Sequence, residues 1–281
     1  MPESPEVQAF TEVVADRIAG RRIAAFTVRD FRAYKTRGVD PAVLTGAEVT
    51  KVRRHGKYVD VVAGVRHLVV SFGRHGWGVW RDSDAVGVPS DPSVIATLAL
   101  DDGTMLDLTD AGSFRSAAIW VVADQADVPA ITGLGPDPAD PAFSQADVDA
   151  ATIGRRKQLK AVLQEQTSFA GIGNAYSDEI LFAARLAPTV HAAALADDER
   201  ARLFEAMTGE IRGAIAARRG IPIAELKAAK VAGMRVHGRA GEACPGCGGE
   251  IADFTFAGAS AQWCPSCQSG DDEHGRPVGD E

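Results

Sequence analysis

Residues 166–176 read QTSFAGIGNAY, a short glycine turn between two segments of helical character. Gly171 and Gly173 permit positive φ values and the close approach of another backbone. The amides that open the second helix would suit a phosphate, and Asn174 adds a side-chain donor there. A tight helical hairpin that needs its glycines only for geometry explains the same spacing, and on spacing alone we favour it.

The segments around this turn predict a helical domain, and the chain before it predicts a β-sandwich. Helical patterns cover residues 157–166, 175–185 and 197–218, whereas residues 129–141 are rich in Pro, Asp and Gly and predict a linker. Short β-rich runs precede the linker, with a hairpin turn at residues 102–103. They are residues 23–28, 58–62, 67–72, 96–100 and 105–108.

An opening helix is expected to close the sandwich. Ser4 can cap this helix, Pro5 suits its first position, and Gly20 ends it. The fold class is therefore α+β with several domains. We predict a sandwich domain at 1–128, a linker at 129–142, a helical domain at 143–240, a zinc finger at 241–269 and a disordered acidic tail at 270–281.

The zinc finger is predicted from four clustered cysteines. Cys244, Cys247, Cys264 and Cys267 form two Cys-x2-Cys pairs separated by sixteen residues. Two such thiolate pairs match tetrahedral zinc, with Zn–S distances of about 2.3 Å. Disulfides or a redox pair are the alternatives, and we give them little weight because intracellular cysteines stay reduced.

The composition leaves the choice of partner open. The 281 residues carry a net charge of −8, and 46% of them are hydrophobic, as in ordinary globular proteins. Residues 1–80 and 151–240 are net positive and can accept a polyanion, although alternating charge blocks that keep a surface soluble explain the same pattern. Neither a membrane span nor a secretory signal is recognisable, so we expect a cytoplasmic protein with no membrane association.

The N-terminus can supply chemistry. If Met1 is removed, the ring nitrogen of Pro2 becomes a secondary amine that can attack a sugar C1′ and form an iminium. Glu3 is adjacent and can donate a proton, and Lys57 lies on the turn into a strand, where a basic residue can approach a phosphodiester. Taken singly, Pro2 and Glu3 are best explained as accidents of a start codon.

Together these features resemble the formamidopyrimidine/endonuclease VIII family of bifunctional DNA glycosylases, over nearly the whole chain. The matching motifs stand in the family's order. They are PESPEV at residues 2–7, GKY at 56–58, GPDP at 135–138, the helix–two-turn–helix motif AGIGNAY at 170–176 with Glu179, Leu181 and Phe182, and the finger motifs CPGCG at 244–248 and CPSCQ at 264–268.

The resemblance implies a role for each of these residues. Pro2 would be the Schiff-base nucleophile, Glu3 the proton donor for base loss and Lys57 the residue that assists elimination. Glu6 would support the site. Double-stranded damaged DNA would lie in a cleft between the β-domain and the helical domain, with the target nucleotide flipped out of the stack.

Further residues would bind DNA or metal. Asn174 would hold a backbone phosphate, Phe114 matches the family's wedge phenylalanine, and Lys160 is another DNA-binding candidate. The four cysteines would bind one structural zinc that props a DNA-contacting hairpin. We expect a monomer, associated with the nucleoid if the source is a bacterium.

Three positions depart from the family pattern. Ala259 stands where the finger usually carries an arginine that contacts phosphates. Loss of this charge-assisted contact would cost about 1.5–3 kcal/mol. The second elimination step is therefore in question. Gly112 stands where an arginine reads the orphaned base. Arg74 replaces a methionine that fills the vacated stack; it can take over that role or only contact a phosphate, and we weigh the two equally.

The leading prediction is a glycosylase that removes damaged, oxidised bases and then cleaves the abasic site by β-elimination. A catalytically weak or inactive DNA-structure binder on the same fold is the alternative, which Ala259 and the acidic balance favour. Retention of Pro2, Glu3 and Lys57 together argues against it. A zinc-ribbon protein that binds RNA or protein ignores this N-terminal group of residues.

Overall fold

The computed structural model describes residues 1–81 and 91–269, and the chain divides into two compact units. Unit 1 comprises Met1–Gly133 and Arg218–Lys227, and unit 2 comprises Leu134–Ala217 and Ala228–Glu281. The predicted disordered tail at residues 270–281 lies outside the described residues. Strands dominate the first unit and helices the second, so the α+β class is confirmed.

Unit 1 opens with the helix α1 (Ser4–Ile18). Its N-cap is Glu3, so the prediction of Ser4 was wrong and Pro5 takes the second helical position. The reason is a capping box, in which the backbone amide of Glu3 donates to Oε2 of Glu6 at 3.0 Å. The helix begins at the residue that the sequence marks as the proton donor.

Among the described residues, two antiparallel four-stranded sheets form most of the rest of unit 1. Their strands are β1 (Ile23–Val28), β2 (Val49–His55), β3 (Tyr58–Ala63), β4 (Arg66–Ser71), β5 (Gly76–Arg81), β6 (Val94–Leu100), β7 (Met105–Asp110) and β8 (Ala118–Val122). The strand orders are β1-β6-β7-β5 and β2-β3-β4-β8. Buried side chains from both sheets and from α1 belong to one hydrophobic cluster, which confirms the predicted sandwich closed by a helix.

The segment predicted as a linker, residues 129–142, is divided between the two units. Its first residues form a short helix, α2 (Pro129–Thr132), beside an apolar cluster in which Val128 meets Val69 and Val122 of the second sheet. Its last residues belong to unit 2. Pro and Gly interrupt regular secondary structure in this segment, but the apolar side chains between them still pack against the sheet.

Unit 2 is built from helices around a second hydrophobic cluster. They are α3 (Gln145–Thr152), α4 (Leu159–Gln164), α5 (Asn174–Ala184) and α6 (Asp197–Arg218). The last of these has the predicted bounds, whereas α4 is shorter at both ends than the pattern at residues 157–166 predicts. No helix among the described residues combines the length and apolarity needed to cross a bilayer.

Residues 218–227 belong to unit 1, although the sequence places them inside the helical domain. Ile223 and Leu226 are buried in the cluster of the sandwich, and Nε1 of Trp77 donates to the carbonyl oxygen of Ile223 at 2.9 Å. The helix α7 (Leu226–Ala232) begins within this segment.

The C-terminal part of unit 2 is the finger. It contains the hairpin strands β9 (Ala252–Phe256) and β10 (Ala259–Trp263) and the short helix α8 (Pro265–Gln268). Its small apolar cluster includes Cys244, Cys264 and Ile251. So few buried side chains cannot stabilise the segment alone, as expected of a metal-dependent fold.

Candidate functional site

The N-terminal carboxylates lie in a buried part of unit 1. Glu3 and Glu6 are each 1% exposed, and Pro2 is buried beside them in the chain. The amide of Glu3 is held by Glu6, so the backbone that carries Pro2 and Glu3 is fixed at the start of α1. If Met1 is removed, Pro2 places a secondary amine next to a buried carboxyl, the arrangement that Schiff-base chemistry with proton donation requires.

Lys57 lies at the tip of the β2–β3 hairpin. The turn requires Gly56, whose φ of 53° lies in the left-handed region. Arg54 fastens this turn to α1, because its guanidinium donates to the carbonyl oxygen of Gly56 at 2.9 Å and to Oε1 of Gln8 at 2.8 Å. The structure therefore connects the hairpin of Lys57 to the helix of Pro2 and Glu3.

A buried aspartate on β3 of the same hairpin lies between two histidines of the neighbouring strands. Asp60 is fully buried, with Nδ1 of His67 2.8 Å and Nε2 of His55 3.5 Å from its carboxylate oxygens. Burial by itself would raise the pKa of Asp60, but the two histidines outweigh burial and the pKa is lowered. The sequence did not single out this group, because its members are spread over three strands.

Arg218 is a site residue that sequence reasoning missed. It is 4% exposed, and its Nε lies 2.8 Å from Oε1 of Glu6. Arg218 is the last residue of the long helix α6 and precedes a second arginine, so nothing in the local sequence marks it as different from a solvated charge.

Arg74 and Phe114 lie on neighbouring loops of unit 1. The backbone amide of Arg74 donates to Oγ of Ser116 at 2.8 Å, which joins the two loops. Phe114 is 88% exposed and Arg74 is also exposed. The structure thus places Arg74, predicted either to fill the vacated stack or to contact a phosphate, and the wedge candidate Phe114 on loops that are joined to each other.

Asp110 organises the loop that presents Phe114. Its carboxylate accepts the backbone N–H groups of Gly112, Ser116 and Ala117 at 2.7–2.9 Å. Burial alone would raise the pKa of Asp110, but these donors lower it below its ordinary value.

The glycine turn of unit 2 is held by the side chain of Gln166. Its amide group accepts from the backbone N–H of Gly171 at 3.0 Å and donates to the carbonyl oxygen of Ile172 at 2.7 Å. Gly171 has the expected positive φ, at 89°, whereas Gly173 is extended and caps α5. Asn174 opens the helix and donates to the carbonyl oxygen of Ser260 in the finger hairpin at 2.7 Å.

Lys160 does not offer its charge to DNA. It is fully buried, and its Nζ lies 2.5 Å from Oδ1 of Asp178 and 2.7 Å from Oγ of Ser177. The prediction of direct DNA binding is therefore corrected to an internal role. Asp178 also accepts from Nδ1 of His237 and the amide of Gln262, so the buried pair connects α4 and α5 to the finger.

The four cysteine sulfurs fit one zinc ion. All lie within 4.8 Å of one another. Between the two knuckles, the sulfurs of Cys244 and Cys267 are 3.7 Å apart and those of Cys247 and Cys264 are 3.5 Å apart. A tetrahedron with Zn–S bonds of about 2.3 Å has edges of about 3.8 Å, whereas a disulfide needs about 2.05 Å. Burial, aided by the other thiols, raises the pKa of Cys267 to about 12, and a bound cation would favour the thiolate form of this side chain.

Family models cover nearly the whole chain. The formamidopyrimidine-DNA glycosylase N-terminal domain matches residues 1–117, the H2TH domain of the same glycosylase matches 134–224, and the zinc finger found in FPG and IleRS matches 241–270. The three matches define the class as that of the formamidopyrimidine-DNA glycosylases. Its parts follow one another in this order: a sandwich with an N-terminal Pro-Glu, a helix–two-turn–helix unit and a four-cysteine finger.

Whole-chain relatives agree with the three models. The formamidopyrimidine-DNA glycosylase of Laribacter hongkongensis is 32% identical over 278 residues, covering 95% of this chain and all of the relative. The MutM (Fpg) structure from Thermus thermophilus matches with a TM-score of 0.81 at 28% identity, over 96% of this chain and 100% of the other. The Lactococcus lactis Fpg, solved non-covalently bound to AP-site DNA, matches at 0.84 and 25%, over 95% and 100%. The chain belongs to the formamidopyrimidine-DNA glycosylase family.

Proposed function

We propose that this protein is a bifunctional DNA N-glycosylase and AP lyase of base excision repair, and that Pro2, Glu3 and Lys57 carry its chemistry. The observation that supports it most is the arrangement at α1, where Pro2 and the buried Glu3 open the helix to which Arg54 fastens the Lys57 hairpin. A non-catalytic DNA binder is not favoured, since it needs no amine beside a buried acid.

The proposed reaction has two steps. After removal of Met1, the nitrogen of Pro2 bonds to C1′ and loses its proton while the C1′–N bond to the base breaks, and Glu3 gives its proton to the departing base or the sugar oxygen. The C1′–O4′ bond then breaks, which opens the sugar ring with a proton on O4′ and leaves a C1′=N iminium. The resulting iminium accepts the electron pair released when C2′ loses a proton, and the 3′ phosphate leaves. Lys57 assists that elimination by approaching the phosphodiester.

The proposed partner is double-stranded damaged DNA, bound by a monomer in the cytoplasm and, in a bacterium, at the nucleoid. The Lactococcus lactis relative was solved with AP-site DNA, which supports this class of ligand. Asn174 is proposed to contact a backbone phosphate, and the zinc ion is structural, holding the finger hairpin that Asn174 touches. Binding should weaken steeply with added salt.

The first experiment determines which damaged base is removed and how far the elimination proceeds. Duplexes carrying single oxidised purines or pyrimidines are incubated with the protein, and the product ends are sized on a gel. We expect strand cleavage ending mainly at β-elimination, because Ala259 offers no guanidinium to the flipped nucleotide. Equal binding of intact and abasic duplexes without any nicking would instead support the alternative hypothesis of a non-catalytic DNA binder.

Discrimination of the opposite base should be weak or altered. Arg74 and Phe114 are exposed on joined loops, and Gly112 presents no side chain to read the orphaned base. The same lesion is assayed opposite each of the four bases, with Arg74→Met as the comparison. A strong preference for cytosine in the unmodified protein would contradict this specificity hypothesis.

A further inference from the structure

We propose that Arg218 is a positioning residue for the reaction, acting through Glu6 on Glu3 and Pro2. The inference rests on the proposed function and deepens it, since it assigns a role to a side chain outside the motifs. Arg218, Glu6 and Glu3 form a continuous chain of contacts within unit 1.

Each carboxylate oxygen of Glu6 has a different partner. Oε2 accepts the backbone N–H of Glu3 at 3.0 Å, and Oε1 faces Nε of Arg218 at 2.8 Å. Rotation of the carboxylate away from either partner would disturb the other contact. Arg218 therefore fixes the orientation in which Glu6 holds the backbone of Glu3, one residue from the nitrogen of Pro2.

Burial makes this contact consequential. Glu6 and Arg218 are almost completely removed from solvent, so water cannot replace a missing partner. Removing one member of a buried ion pair leaves an uncompensated charge, which the remaining side chain relieves by moving or by taking up a proton. Either change alters the acceptor that Glu3 uses.

The anchorage of Arg218 is independent of the reaction. It begins the segment of residues 218–227, in which Ile223 and Leu226 are buried and Trp77 donates to the carbonyl oxygen of Ile223. The guanidinium therefore comes from a backbone that is itself fixed to the sandwich. Preorganisation of this kind matters because a displacement of about 1 Å can reduce a rate by about 100-fold.

The chain provides a matched control in the next residue. Arg219 also pairs with a glutamate of α1, with Nε 3.2 Å from Oε2 of Glu12, but its side chain is largely exposed. This pair does not touch the N-cap of the helix. Charge, chain position and partner type are thus nearly identical for Arg218 and Arg219.

The test compares Arg218→Met, Arg218→Lys and Arg219→Met in the full chain. The measurements are single-turnover base excision, binding of a duplex with a non-cleavable abasic analogue, and Tm. We expect Arg218→Met to slow excision by about 10- to 100-fold with little change in Kd, Arg218→Lys to recover part of the rate, and Arg219→Met to stay within about twofold. Wild-type excision by folded Arg218→Met, or an equal loss in Arg219→Met, would overturn the proposal.

A double variant decides the outcome if Arg218→Met does not fold. Glu6→Gln/Arg218→Met removes both charges, so no unpaired buried charge remains. A positioning role predicts that excision stays slow although Tm returns toward the wild-type value, whereas a purely structural role predicts that rate and Tm recover together. An inactive but folded wild-type protein would sink the proposed function itself, which separates that failure from failure of the inference.

Discussion

Glu3 lies at the N-cap of α1, buried and held by its own amide. Because the carboxyl is fixed at the start of the helix, it can deliver a proton without first being ordered, which is what a general acid contributes. In the proposed reaction, this arrangement divides two chemical roles between neighbouring residues: Pro2 would bond to the sugar, and Glu3 would supply the proton.

Replacing the acid should separate these two duties. We expect Glu3→Gln to reduce excision of a damaged base by about 10²- to 10⁴-fold, because the leaving base loses its proton donor. Cleavage of a duplex that is already abasic should fall much less, since Pro2 remains. Glu12→Gln, on the same helix, serves as the control, and an equal loss on both substrates would contradict the assignment.

The sequence predicted Pro2, Glu3 and Lys57 as site residues because each is recognisable by its chemistry and its place in a short motif. It could not identify Arg218 or Arg54, since their significance comes from Glu6 and Gln8, which are distant in sequence. Lys160 shows the opposite error. A lysine is usually solvated, and only the partners on α5 reveal that this one is buried.

The loop that follows β7 depends on one carboxylate. Asp110 accepts three backbone N–H groups, and through them it determines where Phe114 is presented. Together with Arg115, whose guanidinium donates to the carbonyl oxygens of Asp110 and Gly112, these polar contacts order the loop, and its tip exposes an aromatic ring.

The pH dependence of stability should report this carboxylate. Because the folded protein lowers the pKa of Asp110, its stabilisation is present above the ordinary value near 3.8 and is lost as the pH falls through the lowered one. We expect Asp110→Asn to lose about 1–3 kcal/mol at pH 7, with the gap to wild type closing below about pH 4. Tm measured from pH 7 to pH 3 tests this; a gap independent of pH would contradict it.

Elements with a clear hydrophobic period were predicted well, and α6 has the bounds expected from the sequence. The ends of α1 and α4 were predicted less well, because capping depends on which side chain reaches the first-turn amides. The sequence predicted Ser4 as the cap of α1, whereas the capping box between Glu3 and Glu6 places the N-cap at Glu3.

The sandwich and the finger differ in what stabilises them. The sandwich buries one continuous apolar cluster, whereas the finger buries few side chains and depends on four sulfurs. Zinc should therefore be required for the finger hairpin, including its contact with Asn174, and much less for the sandwich.

Metal removal tests this difference. We expect about one zinc per chain by elemental analysis. Extraction with a strong chelator under reducing conditions should lower Tm and weaken duplex binding, and Cys267→Ser should behave in the same way while Ser266→Ala does not. Full binding by metal-free protein would contradict a structural role for zinc.

The sequence predicted the sandwich, the helical part and the finger, but it did not predict how the chain is shared between the units. Residues 218–227 join unit 1 because Ile223 and Leu226 are buried there, and this is a long-range packing preference that local patterns do not contain. The same holds for the predicted linker, which both units share.

Borohydride trapping of the protein on an abasic duplex is the most direct test of the mechanism. Reduction should convert the iminium to a stable adduct, and peptide mapping should place the DNA on the N-terminal peptide, at the nitrogen of Pro2 after loss of Met1. Blocking that nitrogen with an added N-terminal residue should abolish the adduct. An adduct mapped to Lys57 or another lysine, or none with folded, zinc-loaded protein, would contradict the account.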